Sequence, residues 1–121
     1  MNCHCQYCRK AHSAPYISAT LMPESDLIIQ QGNEYISEFD IDGVRKRRFC
    51  NACGTRIYNM TSVANYITFM AATLDHPEVA TPMGHVNVES KLATLEITDD
   101  LPQFKTFPSG EQIAGMLSKN H

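Results

Sequence analysis

Val44-Arg45-Lys46-Arg47-Arg48-Phe49-Cys50-Asn51-Ala52-Cys53-Gly54-Thr55-Arg56-Ile57-Tyr58-Asn59-Met60 is the stretch on which the fold turns. Its two ends read as β-strands, and its centre reads as a tight turn carrying a C-x-x-C pair. That spacing lets two thiolates reach one Zn²⁺ at about 2.3 Å each. Gly54 suits the turn, because the residue after the second cysteine of such a pair often needs φ > 0, which glycine adopts without strain. The competing readings are two buried structural cysteines or a thioredoxin-type redox pair. No βαβ pattern surrounds the motif, which counts against the redox pair.

Working outward, Asp42-Gly43 is a hairpin signal just upstream. Tyr35, Ser37, Phe39 and Ile41 share one face of the strand that enters it. Tyr16 to Leu21 alternates and is bounded by Pro23, Asp26 to Gln30 is short and apolar, and Gln31-Gly32-Asn33 supplies a turn. Tyr66 to Thr73 is apolar enough for a central strand, whereas His85 to Glu89 and Ala93 to Thr98 are weaker strand candidates. Only the tail reads as helix: Ser109 can cap it, Glu111 sits in its first turn, and Ile113, Met116 and Leu117 line one face. Short strands separated by turn residues predict a mostly-β sheet or sandwich with a short C-terminal helix. One β domain is expected over residues 1–105, followed by a tail over 106–121.

The second chemical signal is Cys3-His4-Cys5-Gln6-Tyr7-Cys8, within a stretch dense in Cys and His that lacks periodicity and reads as a metal-binding loop. A C-x-C-x-x-C run can place three sulfurs around one ion and leave the fourth position to water or substrate, the arrangement of catalytic zinc. Zinc there would lower the pKa of a bound thiol or water and polarise a carbonyl. The alternative joins Cys5 and Cys8 with Cys50 and Cys53 in one closed Cys₄ site, a non-catalytic structural or interaction module. Spacing alone leaves both open.

Composition supports metal over disulfides. Five cysteines is an odd number, and three of them lie too close together to pair comfortably. The chain has 121 residues, 43% hydrophobic and 19% charged, with a formal charge of −3, the balance of one globular domain. A pI near 5.9 sets no global field towards nucleic acid or anionic lipid. No apolar run approaches the roughly 20 residues of a membrane span. The first residues do not read as an export signal, so a cytoplasmic location, where thiols stay reduced, is the expectation.

These motifs, in order, resemble the glutathione-dependent formaldehyde-activating enzyme family, which includes the vertebrate centromere protein V. Cys3-His4-Cys5-x-x-Cys8-Arg9-Lys10-Ala11-His12 with Ala14-Pro15-Tyr16 is similar to one family motif. Arg48-Phe49-Cys50-x-x-Cys53-Gly54-Thr55 is similar to another. Thr73 to Glu78, Gly84-His85 with Glu89-Ser90-Lys91, and Asp100 to Phe104 follow the family's later signatures. The resemblance implies a small zinc-binding β fold of packed antiparallel sheets, often called a β-tent. It implies a catalytic zinc on Cys3, Cys5 and Cys8, and a structural zinc whose second half falls on Cys50 and Cys53. The implied activity is condensation of formaldehyde with glutathione to S-(hydroxymethyl)glutathione, formally carbon–sulfur lyase chemistry with glutathione as co-substrate. The sequence departs from the family in three places. The C-x-C-G strand expected ahead of Cys3, which supplies the other structural ligands, does not precede it. Val86 and Asn87 stand where an aromatic is usual, and Ala93-Thr94-Leu95 where Pro and Trp are common. An exposed sheet edge left by a missing strand could be covered by a homodimer.

Other residues have two readings each. Arg9 and Arg48 are candidates to hold the carboxylates of a glutathione-like ligand. The run Arg45-Lys46-Arg47-Arg48 could serve that ligand or a nucleic-acid phosphate, but a strand puts no more than two of the four on one face. A charged edge strand is the favoured reading. His4 and His12 are each a fourth ligand, a proton shuttle or a loop residue bonded to backbone. His85 reads as structural, and neither His76, in a turn, nor His121, at the terminus, is assigned a role.

Overall fold

The computed structural model describes residues 1–119. The chain divides into two units, one made of Met1–Ser18 with the stretch beginning at Thr81, the other of Ala19–Ala80. In chain order the elements are β1 (Asn2–Cys3), α1 (Gln6–His12), β2 (Ile17–Pro23), β3 (Ile36–Asp40), β4 (Arg45–Cys50), β5 (Arg56–Thr61), β6 (Tyr66–Met70), β7 (His85–Val86) and α2 (Gly110–Lys119). The fold is therefore mostly β with a short C-terminal helix.

The second unit is an antiparallel ladder in the order β3-β4-β5-β6-β2. The β3–β4 hairpin forms where Asp42-Gly43 predicts it. Gly43 takes φ +82°, Asp40 accepts from its N–H, and Asp42 accepts from the N–H groups of Val44 and Arg45 at 3.0 and 2.7 Å. The register sets Glu38 opposite Arg48 and Ile36 opposite Cys50. Between β4 and β5 the chain makes the knuckle expected at Cys50–Thr55. The Gly54 N–H donates to the Cys50 carbonyl at 2.7 Å, and the Cys50 N–H to the Thr55 carbonyl at 2.8 Å. Gly54 has φ +80°, as its place in the turn requires. Ile67 is fully buried, and Tyr58 and Met70 nearly so, which makes β5 and β6 the apolar centre of this unit. Burial of one such side chain contributes about 1.5–3 kcal/mol. Tyr58 and Phe69, directly cross-strand, stack with centroids 6.2 Å apart.

The first unit is built differently. β1 pairs antiparallel with the start of β2 (Cys3 opposite Ile17) and parallel with β7 (Cys3 opposite Val86). The pairing is thus mixed rather than antiparallel throughout. A parallel pair needs a long connection, and this one joins residues some eighty positions apart, beyond the reach of local periodicity. Gly84 precedes β7 because a Cβ there would stand 3.1 Å from the Pro102 carbonyl and 3.7 Å from Met116 Sδ. α2 begins with the reciprocal cap foreseen at Ser109. Its Oγ accepts from the Gln112 N–H at 3.2 Å, and Gln112 Oε1 accepts from the Ser109 N–H at 2.8 Å. Met116 is buried and Ile113 half-buried on one face; the side chain of Leu117 lies outside the described residues.

Two further expectations change here. The Cys/His-rich stretch is a helix over Gln6–His12 rather than a loop. Its signal is a cap rather than an apolar face, since Cys5 is the N-cap and its sulfur accepts from the Cys8 N–H. No residue of this helix is buried, so it has no amphipathic pattern to read. Ala93 to Thr98 joins no ladder. It is a turn followed by extended chain, with Lys91 Nζ bonded to the carbonyls of Leu92 and Leu95 at 3.2 and 2.6 Å.

Candidate metal centre

β1 and the first turn of α1 bring Cys3, Cys5 and Cys8 together. On extended chain, successive side chains point to opposite faces. Accordingly His4 is fully buried, while Cys3 and Cys5 are half-buried on the other side. The helical turn then returns Cys8 to the same place. The three sulfurs lie within 4.8 Å of one another, with Cys8 Sγ 3.6 Å from Cys3 Sγ. N–H groups point at them, among these Cys8 N to Cys5 Sγ and Asn87 Nδ2 to Cys3 Sγ, each at 3.3 Å.

The cluster shares its protons unevenly. The thiols of Cys3 and Cys8 donate towards Cys5 and hold its pKa below the ordinary thiol value, assisted by the N–H groups of Cys8 and Tyr7. The neighbouring sulfurs of Cys3 and Cys5 push Cys8 up. Cys3 is raised chiefly by Cys5, against the lowering pull of Cys8 and Asn87. Of the three, Cys5 is thus the sulfur most disposed to carry negative charge. Three soft donors held this closely fit a thiophilic divalent ion such as Zn²⁺, which would take the place of the remaining protons. Neither His4 nor His12 belongs to the group.

Behind the cluster runs a buried polar chain. His4 Nε2 lies 2.8 Å from His85 Nδ1, and His85 Nε2 lies 2.9 and 3.1 Å from the two Asp99 oxygens. Both rings are almost fully buried, whereas Asp99 is half-exposed. Burial, followed by the proximity of the His85 ring, lowers the His4 pKa. The hydrogen bond from His85 lowers that of Asp99. His4 Nδ1 is buried and has no hydrogen-bond partner among the described residues.

Arg9, on α1, donates from Nε to the His4 carbonyl at 3.3 Å and so ties the helix back to the cysteine strand. In the second unit, Cys50 and Cys53 face each other across the knuckle. Cys53 is exposed, and its thiol is lowered first by the Thr55 hydroxyl at 3.1 Å and also by Cys50. Each basic residue of β4 already has a partner. Arg48 reaches Glu38 at 2.7 Å and lies over the Tyr58 ring. Lys46 reaches Glu38 at 3.7 Å and Arg45 reaches Asp42 at 2.9 Å, while Arg47 lies over Phe39. An open apolar cleft of about 490 Å³ is also found in this unit, lined by Leu27, Ile29, Tyr35, Cys50, Tyr58 and Phe69. His76 makes an exposed contact with Glu78, and His121 lies outside the described residues.

Asn87, His85 and Asp99 are the residues of this site that sequence reading did not find. Asn87 stood out only as a departure from an aromatic position. Its left-handed backbone, φ +58°, favours Asn, but nothing local announces that its amide meets Cys3.

These features define a small mostly-β protein with a three-thiol cluster in one unit and a C-x-x-C knuckle in the other. The chain matches the model of the glutathione-dependent formaldehyde-activating enzyme family over residues 1–90 and belongs to that family. No curated protein matches it significantly. Among solved structures it is similar to one described as a Rhodobacter sphaeroides protein, at 22% identity and a TM-score of 0.52. That match covers 61% of this chain and 66% of the other, just under two thirds of its length, and the likeness is one of fold. Among the described residues, no helix is long and apolar enough to cross a membrane.

Proposed function

We propose that the chain is a zinc-dependent, carbon–sulfur lyase-like protein acting on a thiol–aldehyde adduct, with glutathione and formaldehyde as the leading pair. The observation that carries this reading is the three-thiol cluster of Cys3, Cys5 and Cys8, in a member of the formaldehyde-activating family. The reaction adds the glutathione S–H across the aldehyde C=O: a carbon–sulfur bond forms and the thiol proton ends on the oxygen. Cys3, Cys5 and Cys8 would hold the ion, which when bound stabilises a thiolate and polarises a carbonyl.

The chain's own groups prepare that site. The amide of Asn87 and the N–H of Cys8 stabilise negative sulfur at Cys3 and Cys5. Arg9, one residue beyond Cys8, is the candidate for a glutathione carboxylate. Arg48 could take this role only in competition with Glu38, which it already holds at 2.7 Å. Cys50 and Cys53 are candidate ligands of a second, structural ion, and a cytoplasmic, reducing setting is the one in which all five thiols stay available.

The test measures zinc content and the rate of S-(hydroxymethyl)glutathione formation by NMR exchange, for the reduced protein and for Cys3→Ser. The expected result is an exchangeable zinc, perturbed by glutathione, that is lost in Cys3→Ser together with the rate enhancement. Full retention of zinc in Cys3→Ser, or exchange no faster than in protein-free buffer, overturns the reading.

A further inference from the structure

Three successive residues, His85, Val86 and Asn87, grip the strand that carries the thiols. The Val86 carbonyl accepts from the His4 N–H at 3.0 Å, the Asn87 amide donates to Cys3 Sγ at 3.3 Å, and the His85 ring meets the His4 ring at 2.8 Å. The last of these contacts extends further, to Asp99. From these contacts we infer that Asp99 and His85 are positioning residues of the thiol site. Acting through His4, they fix one tautomer and one ring orientation, and so set the strand between Cys3 and Cys5. The inference rests on reading those cysteines as a metal site.

The direction of the chain follows from donor and acceptor counting. An ionised carboxylate only accepts. Asp99 Oδ1 already takes the Leu101 N–H at 3.0 Å, which pins the carboxylate in place. His85 therefore donates to it from Nε2–H, and in the neutral ring Nδ1 is left as an acceptor. His4 must then donate from Nε2–H, so its Nδ1 carries a lone pair. That is the atom found buried and without a partner among the described residues. The Tyr16 ring packs beside both imidazoles, 4.9 Å from the His4 ring and 6.2 Å from the His85 ring between centroids. A carboxylate-to-histidine chain of this kind orients metal-site residues elsewhere by the same physics.

Asp99→Asn tests the inference, because it keeps the shape and changes the direction. The Leu101 N–H still requires an acceptor, so the amide oxygen stays there and the NH₂ group faces His85 Nε2. At the shorter contact, 2.9 Å against 3.1 Å to the oxygen position, His85 Nε2 then accepts, so His85 carries its proton on Nδ1 and donates to His4 Nε2, which leaves Nδ1–H on His4. The tautomers of both rings are read by ¹⁵N-imidazole NMR on the full, reduced, metal-free chain. Zinc affinity is read by competition with a chromophoric chelator. Both rings are expected as Nε2–H in the natural protein and in Asp99→Glu, and as Nδ1–H in Asp99→Asn. Zinc binding in Asp99→Asn should weaken about tenfold, and a cooperative urea transition checks that the variant is folded. Finding His4 as Nδ1–H in the natural protein, or as Nε2–H in Asp99→Asn, overturns the inference. So does undiminished zinc affinity alongside reversed tautomers. Failure of the natural chain to bind zinc through its thiols instead overturns the proposed function, while the metal-free tautomers still decide whether the chain runs as described.

Discussion

Asn87 combines two tasks that two substitutions separate. Its amide donates to Cys3 Sγ at 3.3 Å, and its backbone occupies φ +58°. Asn87→Gly removes the donor but suits that backbone, whereas Asn87→Ala removes the donor and adds strain. Loss of one hydrogen bond to sulfur costs about 1 kcal/mol, equivalent to about a fivefold loss in zinc affinity. A left-handed backbone costs an ordinary residue about 1–2 kcal/mol. Part of the glycine advantage is offset by the greater freedom of glycine in the unfolded chain. Both variants should therefore lose zinc affinity about equally, while Asn87→Ala unfolds with about 1 kcal/mol less stability than Asn87→Gly. The assays are chelator competition for zinc and urea unfolding of the reduced, metal-free protein. Natural-type zinc affinity in Asn87→Gly would refute the amide's role at Cys3. Equal stability of the two variants would refute the argument from backbone strain.

Three further outcomes follow from the same structure. His4 is held below its ordinary pKa of about 6.5, so below that pH the unfolded chain binds a proton there that the folded chain refuses. Stability should rise with pH through that window and be fully present above it. Asp99, also depressed, adds a loss as pH falls below about 4. Urea midpoints between about pH 5 and pH 8 measure the first effect, and a flat profile would contradict it. Ile67→Ala empties a fully buried site on β6 and should cost about 2–5 kcal/mol by denaturant unfolding; a loss under about 1 kcal/mol would mean the site collapses around the gap. Gly54→Ala meets no atom within 4 Å but sits at φ +80°, so it should cost about 1–2 kcal/mol from backbone strain alone. A thermal melt unchanged from the natural protein would show that the knuckle relaxes.

How far the sequence foretold this structure depended on the range of each signal. The β3–β4 hairpin and the Cys50–Thr55 knuckle were legible because Asp42-Gly43 and Cys53-Gly54 are local chemistry, complete within a few residues. The strand expected over Tyr66 to Thr73 forms only to Met70. There Thr73 Oγ1 bonds the Met70 carbonyl at 2.7 Å and Ala71–Thr73 turns into a short 3₁₀ segment. α1 was missed because it has a cap but no apolar stripe. Spacing allowed the grouping of Cys3, Cys5 and Cys8 without deciding it against a joint site with Cys50 and Cys53, and what holds the cluster could not be read at all. His85, Asn87 and Asp99 reach the cysteine strand through parallel pairing and a ring-to-ring contact across most of the chain. No window of sequence contains both partners.

The Cys5 sulfur has a place in both the chemistry and the backbone. It caps α1 by accepting from the Cys8 N–H, and the Arg9 N–H bonds its carbonyl at 3.0 Å. Alkylating or oxidising that atom therefore strips the cap as well as a ligand, and the first turn of α1 should fray in the same event. A thiol-blocking reagent would register in the amide signals of Gln6 to Arg9 as directly as in any activity measurement. This ties the integrity of one helix to the covalent state of one sulfur.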